Sequence, residues 1–184
     1  MPVVQIIPTE VAHIAEILPH IRQADKDEFW ATAMMTAEEV LIYGLKHSSY
    51  CWTGLADGEV VTIFGVTPAS LLTGYGTPWL VASDRLEKYS RAFIRHSKPL
   101  LSGIMEQFPR LENYVDTRNV AAKQWLHWMG FKLHDPEPAG PFNLPFHKFT
   151  MEKKHVRSSS NRRGNAGGRS RIGIQPEAEF KVSV

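Results

Sequence analysis

The alternation of hydrophobic and polar residues along the chain predicts helices and strands in mixed order. Apolar residues recur every three or four positions over residues 10–23, 90–108 and 120–129, which predicts amphipathic helices. Shorter apolar or alternating runs predict strands at residues 3–7, 50–56, 59–66, 78–83, 111–116, 131–134 and 146–152. Because helices and strands are interleaved in this way, we expect an α/β fold, a mixed sheet flanked by helices on both faces.

Short local signals place the ends of several elements. Thr36 and Glu39 have the spacing of a capping box and predict the start of a further helix. Residues 57–58, Asp-Gly, predict a tight hairpin because both residue types tolerate a positive φ angle. Asn119 is predicted to cap the helix that follows it, and Gly130 is predicted to end that helix.

Three segments have no clear hydrophobic period. Residues 24–33 form a polar patch around two aromatic side chains, and the sequence assigns them no element. Residues 68–77 contain proline and two glycines, residues 135–141 contain three prolines, and both segments are predicted to be loops. Pro99 lies inside the helical pattern and is predicted to kink the helix, since proline has no backbone N–H.

The charge of the chain is distributed unevenly, although its net value over 184 residues is only +2. Residues 151–184 hold eight Lys or Arg and three Asp or Glu, a net charge of +5, whereas residues 1–150 hold 13 and 16, a net charge of −3. Residues 158–171 contain no apolar side chain larger than alanine and cannot build a core. The sequence therefore predicts a domain over residues 1–152 and an extended basic C-terminal arm over residues 153–184.

Cysteine and histidine usage gives no sign of a disulfide framework or a metal centre. Cys51 is the single cysteine of the chain, which fits a reducing compartment. The eight histidines show no spacing typical of metal ligands, so no metal site is predicted. No apolar run approaches the roughly 20 residues that span a bilayer, so no membrane-spanning segment is expected.

The order of the predicted elements resembles that of the GNAT N-acetyltransferase superfamily, and the helix from Asn119 to Gly130-Phe131 resembles its motif B. Residues 79–135 also resemble the internal virion protein A family of short-tailed phages, whose members are GNAT-like. The resemblance implies a GNAT-like sheet and a role inside a phage particle. It further implies that the protein is found in the virion, and in the host cytoplasm during assembly.

The resemblance also indicates where acetyl-CoA would bind in an active member of the superfamily. There, the diphosphate rests on a glycine-containing turn after the central strand, and a motif B tyrosine often acts as general acid. The matching turn here comprises Ser83, Asp84, Arg85, Leu86, Glu87, Lys88 and Tyr89. It has no glycine and brings two carboxylates, and the tyrosine position is Leu126. The resemblance therefore implies a degenerate acetyl-CoA loop, with no catalytic residue and no cofactor.

The basic arm offers two kinds of side chain for binding partners. Its candidate binding residues are Arg157, Arg162, Arg163, Arg169, Arg171, Ile172, Ile174, Phe180, Val182 and Val184. The arginines suit either packaged DNA or a protein surface, whereas residues 172–184 favour contact with other virion proteins in an oligomeric assembly. We therefore predict a non-catalytic virion protein for assembly or genome ejection. The alternatives are an acetyl-CoA-dependent N-acetyltransferase of the GNAT type and a DNA-binding accessory protein.

Overall fold

The computed structural model describes residues 3–70 and 73–153 of the chain. The first half contains β1 (Val4–Pro8), α1 (Val11–Ile17), α2 (Gln23–Ala33), α3 (Ala37–His47), β2 (Tyr50–Ala56) and β3 (Glu59–Ser70), with a short 3-10 turn at Leu18–His20. The second half contains β4 (Tyr75–Ala82), α4 (Leu86–Gln107), β5 (Arg110–Asp116), α5 (Val120–Met129), β6 (Lys132–Ala139) and β7 (Leu144–Glu152). The strands form a seven-stranded sheet in the order β1-β2-β3-β4-β5-β7-β6.

The two faces of the sheet carry separate hydrophobic cores, as the α/β prediction requires. On one face, Ile17 of α1 and Leu41 of α3 pack against Ile63 of β3, and all three are fully buried. On the other face, α4 and α5 lie over β3, β4, β5 and β7, where Phe93 and Leu111 are buried. Because both faces are covered, the predicted mixed sheet with helices on both sides is confirmed.

The strands β4 and β5 define the most unusual feature of the sheet. They run parallel, whereas the other neighbouring strands are antiparallel. Only two residue pairs join them, Tyr75 with Arg110 and Gly76 with Leu111. Beyond these pairs the strands separate, so a V-shaped opening lies between their C-terminal ends. We call this opening the wedge.

A large aromatic side chain on β4 is held firmly beside the wedge. The Trp79 indole lies over two glycines, Gly44 of α3 and Gly65 of β3. A Cβ at either position would come within 3 Å of the ring, so glycine leaves the space that the indole occupies. Its Nε1–H donates a hydrogen bond to the Ser48 hydroxyl at 2.9 Å. The absence of side chains at these glycines thus allows a half-buried tryptophan to support the strand that forms one side of the wedge.

The predicted caps and hairpin are confirmed. Thr36 and Glu39 close a reciprocal capping box at the start of α3. Residues 57–58 have φ angles of 51° and 86° and connect β2 to β3. Asn119 caps α5 by accepting a hydrogen bond from the Ala122 N–H at 3.1 Å, and Gly130 ends α5 with a φ of 94°.

Several predicted boundaries are wrong. The unassigned residues 24–33 lie in helix α2, and α4 begins at Leu86, one turn before the predicted start at position 90. The predicted loops 68–77 and 135–141 are largely strand, because β3 continues to Ser70, β4 starts at Tyr75 and β6 includes residues 132–139. Pairing with neighbouring strands outweighs the local preference of proline and glycine for turns. Helix α4 continues through Pro99, and the kink expected there stays a prediction.

The C-terminal arm lies outside the described residues, apart from its first position, so its predicted extent and its candidate binding residues keep the status of predictions. None of the helices in the described ranges is long and apolar enough to cross a bilayer. Within residues 3–70 and 73–153, no three His, Cys, Asp or Glu side chains are grouped so as to hold a metal ion.

Candidate functional site

A cavity of about 790 Å³ opens at the wedge and continues between helices α4 and α5. Its wall between the two helices is largely apolar and includes Phe93, Leu101 and Ile104 of α4, with Ala122 and Leu126 of α5. Its polar end lies at the wide side of the wedge, where α2 approaches the ends of both strands. A volume of this order is typical of sites for small organic ligands.

The backbone edge of β4 is partly free inside the wedge. At the narrow side, the Asn113 side chain donates a hydrogen bond to the Pro78 carbonyl at 2.9 Å. At the wide side, the Ala82 N–H donates to the Asp25 carboxylate at 3.0 Å. Leu80 lies between these two residues, so its N–H and C=O point into the wedge as well, because backbone groups alternate sides along a strand. No described residue hydrogen-bonds these two groups.

Two acids of α2 bridge the ends of the separated strands. Asp25, which is 3% exposed, binds the β4 edge at Ala82 and forms an ion pair with Arg22 at 2.8 Å. Glu28 accepts a hydrogen bond from the Asp116 N–H on the β5 edge at 3.2 Å. Helix α2 therefore joins β4 to β5 at the place where the strands no longer bond to each other.

A capping residue of α5 completes this polar cluster. The Asn119 amide, 3% exposed, donates to Glu28 at 2.9 Å and to Asp25 at 3.2 Å. Asp116 forms an ion pair with Arg118 at 2.5 Å. Burial by itself would raise the pKa of Asp116, but the hydrogen bonds and charge of Arg118 outweigh it and hold that pKa below its usual range.

Glu28 differs from its neighbours because no described cation pairs with it. Burial raises the pKa of Glu28 from 4.5 to about 7, against the lowering effect of its hydrogen bonds from Asn119 and Asp116. Both hydrogen bonds reach the same oxygen, Oε2. Glu28 lines the cavity, and with this pKa its carboxyl gains or loses a proton near neutral pH. The charge of Glu28 therefore changes when the pH changes near neutrality.

The turn between β4 and α4 is closed by the chain itself. Ser83 is fully buried, and its hydroxyl and N–H both donate to the Val61 carbonyl. The Asp84 N–H donates to the His20 carbonyl at 3.3 Å, and the Arg22 N–H donates to the Ala82 carbonyl at 3.0 Å. The backbone of the segment before α2 therefore forms hydrogen bonds with the residues on both sides of Ser83.

The other predicted residues of this turn are distributed over the first turn of α4. Arg85 forms an ion pair with Glu59 at the start of β3, and the Tyr89 hydroxyl donates to Asp57 at 3.2 Å. These contacts tie the start of α4 to the β2–β3 hairpin. Of the remaining positions, Leu86 is buried, whereas Asp84, Glu87 and Lys88 are exposed.

The motif B positions keep structural roles in this fold. Asn119 caps α5 and contacts the two acids of α2, as described above. Phe131 is buried and packs edge-on against Phe149, with ring centroids 5.3 Å apart. Leu126 is half-buried and lines the cavity with an alkyl side chain, which cannot donate a proton.

The sequence reasoning missed the α2 part of the site. Arg22, Asp25 and Glu28 come from a segment with no clear hydrophobic period, so nothing marked them as buried. The available signal was the spacing of Asp25 and Glu28, because residues three apart lie on one face of a helix.

Comparisons with known proteins identify the fold. No model of a protein family matches the sequence, and the search among curated proteins finds no match either. Solved structures do match. The spermidine N-acetyltransferase of Vibrio cholerae, solved with CoA and spermine, aligns with a TM-score of 0.61 at 9% identity, over 82% of this chain and 95% of the other.

Two further solved structures give the same result. Ard1 from Thermoplasma volcanium aligns with a TM-score of 0.62 at 12% identity, over 81% of this chain and 97% of the other. An acetyltransferase of the GNAT family from Streptococcus pneumoniae aligns with a TM-score of 0.56 at 16% identity, over 82% of this chain and 99% of the other. The chain therefore has the fold of the GNAT acetyltransferases, which confirms the predicted scaffold.

The residues at the β4–α4 turn do not fit the diphosphate of a CoA cofactor. The cradle would need free backbone N–H groups, yet the N–H groups of Ala82, Ser83 and Asp84 are bonded within the protein. The carboxylates of Asp84 and Glu87 would repel the negative charge of the diphosphate. Each such contact would cost about 3 kcal/mol at a separation of ~5 Å and an effective dielectric constant near 20. The positive charge of Arg85 is already engaged by Glu59.

Proposed function

We propose that this chain is a catalytically silent GNAT-fold protein that acts by binding other proteins of a phage particle. One observation supports the loss of transferase chemistry: residues 20–25 bond to the backbone N–H and C=O of Ala82 at the end of β4 and to the N–H of Asp84 after it. The alkyl side chain of Leu126 at the motif B position supports the same conclusion. In this proposal the fold serves as a rigid module rather than as a catalyst.

The phage role is supported by the sequence resemblance over residues 79–135 and by the composition of the arm. We propose that the protein resides in the virion, passes through the host cytoplasm during assembly, and contacts other virion proteins. Residues 172–184 would bind protein, and the arginines of residues 157–171 would bind protein or packaged DNA. An arm of this composition favours extended contact with a partner over self-folding.

Calorimetry tests the silent active site. We expect no heat when the full chain is titrated with acetyl-CoA at millimolar concentration, while the Vibrio cholerae spermidine N-acetyltransferase in a parallel titration binds CoA. Saturable heat would refute the proposal. In that case, the paired change Asp84→Asn and Glu87→Gln should strengthen binding by removing repulsion, and Asp135→Asn on the exposed strand β6 is the matched control.

An N-acetyltransferase is the second candidate function, and the wedge is the observation that favours it. The free N–H and C=O of Leu80 and the adjoining cavity would suit an extended ligand that enters between β4 and β5. The calorimetric titration decides between the two candidates, because a transferase must bind its acyl donor whereas the proposed module need not.

Mass spectrometry of purified particles tests the virion role. We expect the full chain to be present in particles after nuclease and protease treatment of their exterior, and a chain lacking residues 154–184 to be depleted. Absence of the full chain from the particles would overturn the role. If the arm binds DNA, affinity should fall steeply with salt and should be lost on deletion of residues 157–171; unchanged affinity would exclude that partner.

A further inference from the structure

Two apolar helix surfaces face each other across the cavity. On α5, Ala122 and Leu126 line it, and no side chain of this helix is fully buried. On α4, Leu101 and Ile104 line the opposite wall. Removing apolar surface from water contributes roughly 25 cal/mol per Å². An apolar ligand body that fills the space between the helices would therefore gain binding energy from both walls at once.

The polar end of the same cavity carries a carboxylate, that of Glu28, without a matching cation. Asp25 and Asp116 each have an arginine partner, Arg22 and Arg118, and both pairs are within 3 Å. Among the described residues, Glu28 receives hydrogen bonds only from neutral N–H groups. A positive group on a ligand would thus meet the unmatched charge of Glu28 at this end of the cavity, whereas Asp84 and Glu87, which also line the cavity, are exposed.

We propose that the cavity binds a cationic amphiphile, with an ammonium group at Glu28 and an apolar body between α4 and α5. The charged groups that line the cavity or lie near Glu28 are Arg22, Asp25 and Asp27 at α2, Asp84, Glu87 and Arg91 at the start of α4, and Asp116 and Arg118 at the end of β5. Arg22 and Arg118 are held by their own aspartates, so they leave Glu28 free to bind the cation. The inference rests on the proposed function, because a CoA molecule in the wedge would compete for the same space.

The test uses decylammonium as the probe and the full chain as the receptor. At pH 8 and below the micellar concentration, calorimetry should show saturable binding at one site, at least tenfold tighter than for decanoate or decanol. Glu28→Gln should weaken decylammonium binding about tenfold and leave decanol binding unchanged. Asp135→Asn is the matched control, because it removes an exposed charge from β6 outside the cavity lining and should leave both affinities unchanged.

Two further measurements examine the two ends of the ligand separately. Affinity for decylammonium should fall about tenfold between pH 8 and pH 6, as Glu28 with its pKa of about 7 takes up a proton. Ala122→Phe adds a ring to the apolar wall and should weaken decylammonium and decanol alike. Both effects would be absent if the probe bound elsewhere on the surface.

The proposal is overturned if decanoate binds as tightly as decylammonium, if Glu28→Gln has no effect, or if none of the probes binds. Its failure can be told apart from failure of the proposed function. Loss of decylammonium binding with no heat from acetyl-CoA leaves the silent active site in place. Heat from acetyl-CoA overturns the proposed function and this inference together.

Discussion

Replacing Glu28 with glutamine isolates the effect of one ionisable group at the site. The amide oxygen of the new side chain can accept the same two hydrogen bonds, from Asn119 and the Asp116 N–H, that Oε2 of Glu28 accepts. The amide NH₂ would occupy the position of Oε1, the oxygen that neither of these two hydrogen bonds uses. The substitution Glu28→Gln thus preserves the contacts between α2 and β5 and removes the charge.

The magnitude follows from the difference between the pKa of Glu28 in the folded and unfolded chains. The unfolded value is near 4.5 and the folded value is about 7, so the folded state holds the proton more tightly. Stability from this group is complete below pH 4.5 and is lost as the pH rises to about 7. At about 1.4 kcal/mol per pH unit, the loss is about 3 kcal/mol.

Denaturant unfolding of the full chain at pH 4.5, 6 and 8 measures this effect. We expect Glu28→Gln to gain stability relative to the wild type as the pH rises, by about 2–3 kcal/mol between pH 4.5 and pH 8. Asp27→Asn, on the exposed side of the same helix, should follow the wild-type curve. Parallel curves for the wild type and Glu28→Gln would refute the argument that burial leaves an uncompensated charge at Glu28.

Two further substitutions test the support of the wedge. Gly65→Ala places a Cβ 2.5 Å from the Tyr50 carbonyl oxygen and 2.9 Å from the Trp79 ring, so it should lower the free energy of unfolding by about 1–3 kcal/mol. Gly103→Ala, on the open side of α4, should stabilise the chain, and equal effects of the two changes in thermal unfolding would contradict the packing around Trp79. Asn119→Ala removes the α5 cap and the hydrogen-bond donor to Asp25 and Glu28, so it should lower the free energy of unfolding by about 2–4 kcal/mol. Thr36→Ala chiefly removes a helix cap and should cost about 1 kcal/mol, and similar losses in denaturant unfolding would count against a stabilising role of the Asn119 contacts with the two acids.

The sequence predicted the elements whose signals are local. The capping box at Thr36, the turn at residues 57–58 and the ends of α5 depend on a few adjacent residues, and each was predicted in its correct place. The α2 residues of the site could not be found in this way. Asp25 and Glu28 acquire their role only when the sheet brings β4 and β5 next to α2, and a polar helix with no apolar stripe gives no sign of such burial.

The start of α4 shows how the prediction of a degenerate loop was tied to an incorrect helix boundary. The sequence placed the helix at residue 90 and interpreted residues 83–89 as a loop that had lost its glycines. The structure begins the helix at Leu86, so most of that loop is helical and there is less room for a phosphate than the sequence suggested. The missing glycines and the early helix are connected, because glycine disfavours a helical first turn whereas Leu86, Glu87 and Lys88 favour it.

At the polar end of the cavity the backbone groups have hydrogen-bond partners within the chain, whereas at the apolar end the side chains of α5 are only partly buried. A buried N–H without a partner costs about 1–3 kcal/mol, and the N–H groups of Ala82 and Asp84 avoid that cost through Asp25 and His20. The fold therefore needs no ligand at the β4–α4 turn. The apolar walls are covered less completely, since Ala122 and Leu126 of α5 are only partly buried where they pack against the core. A ligand that stabilises this protein should consequently act between the two helices, at a distance from the β4–α4 turn, where the chain pairs its own backbone groups.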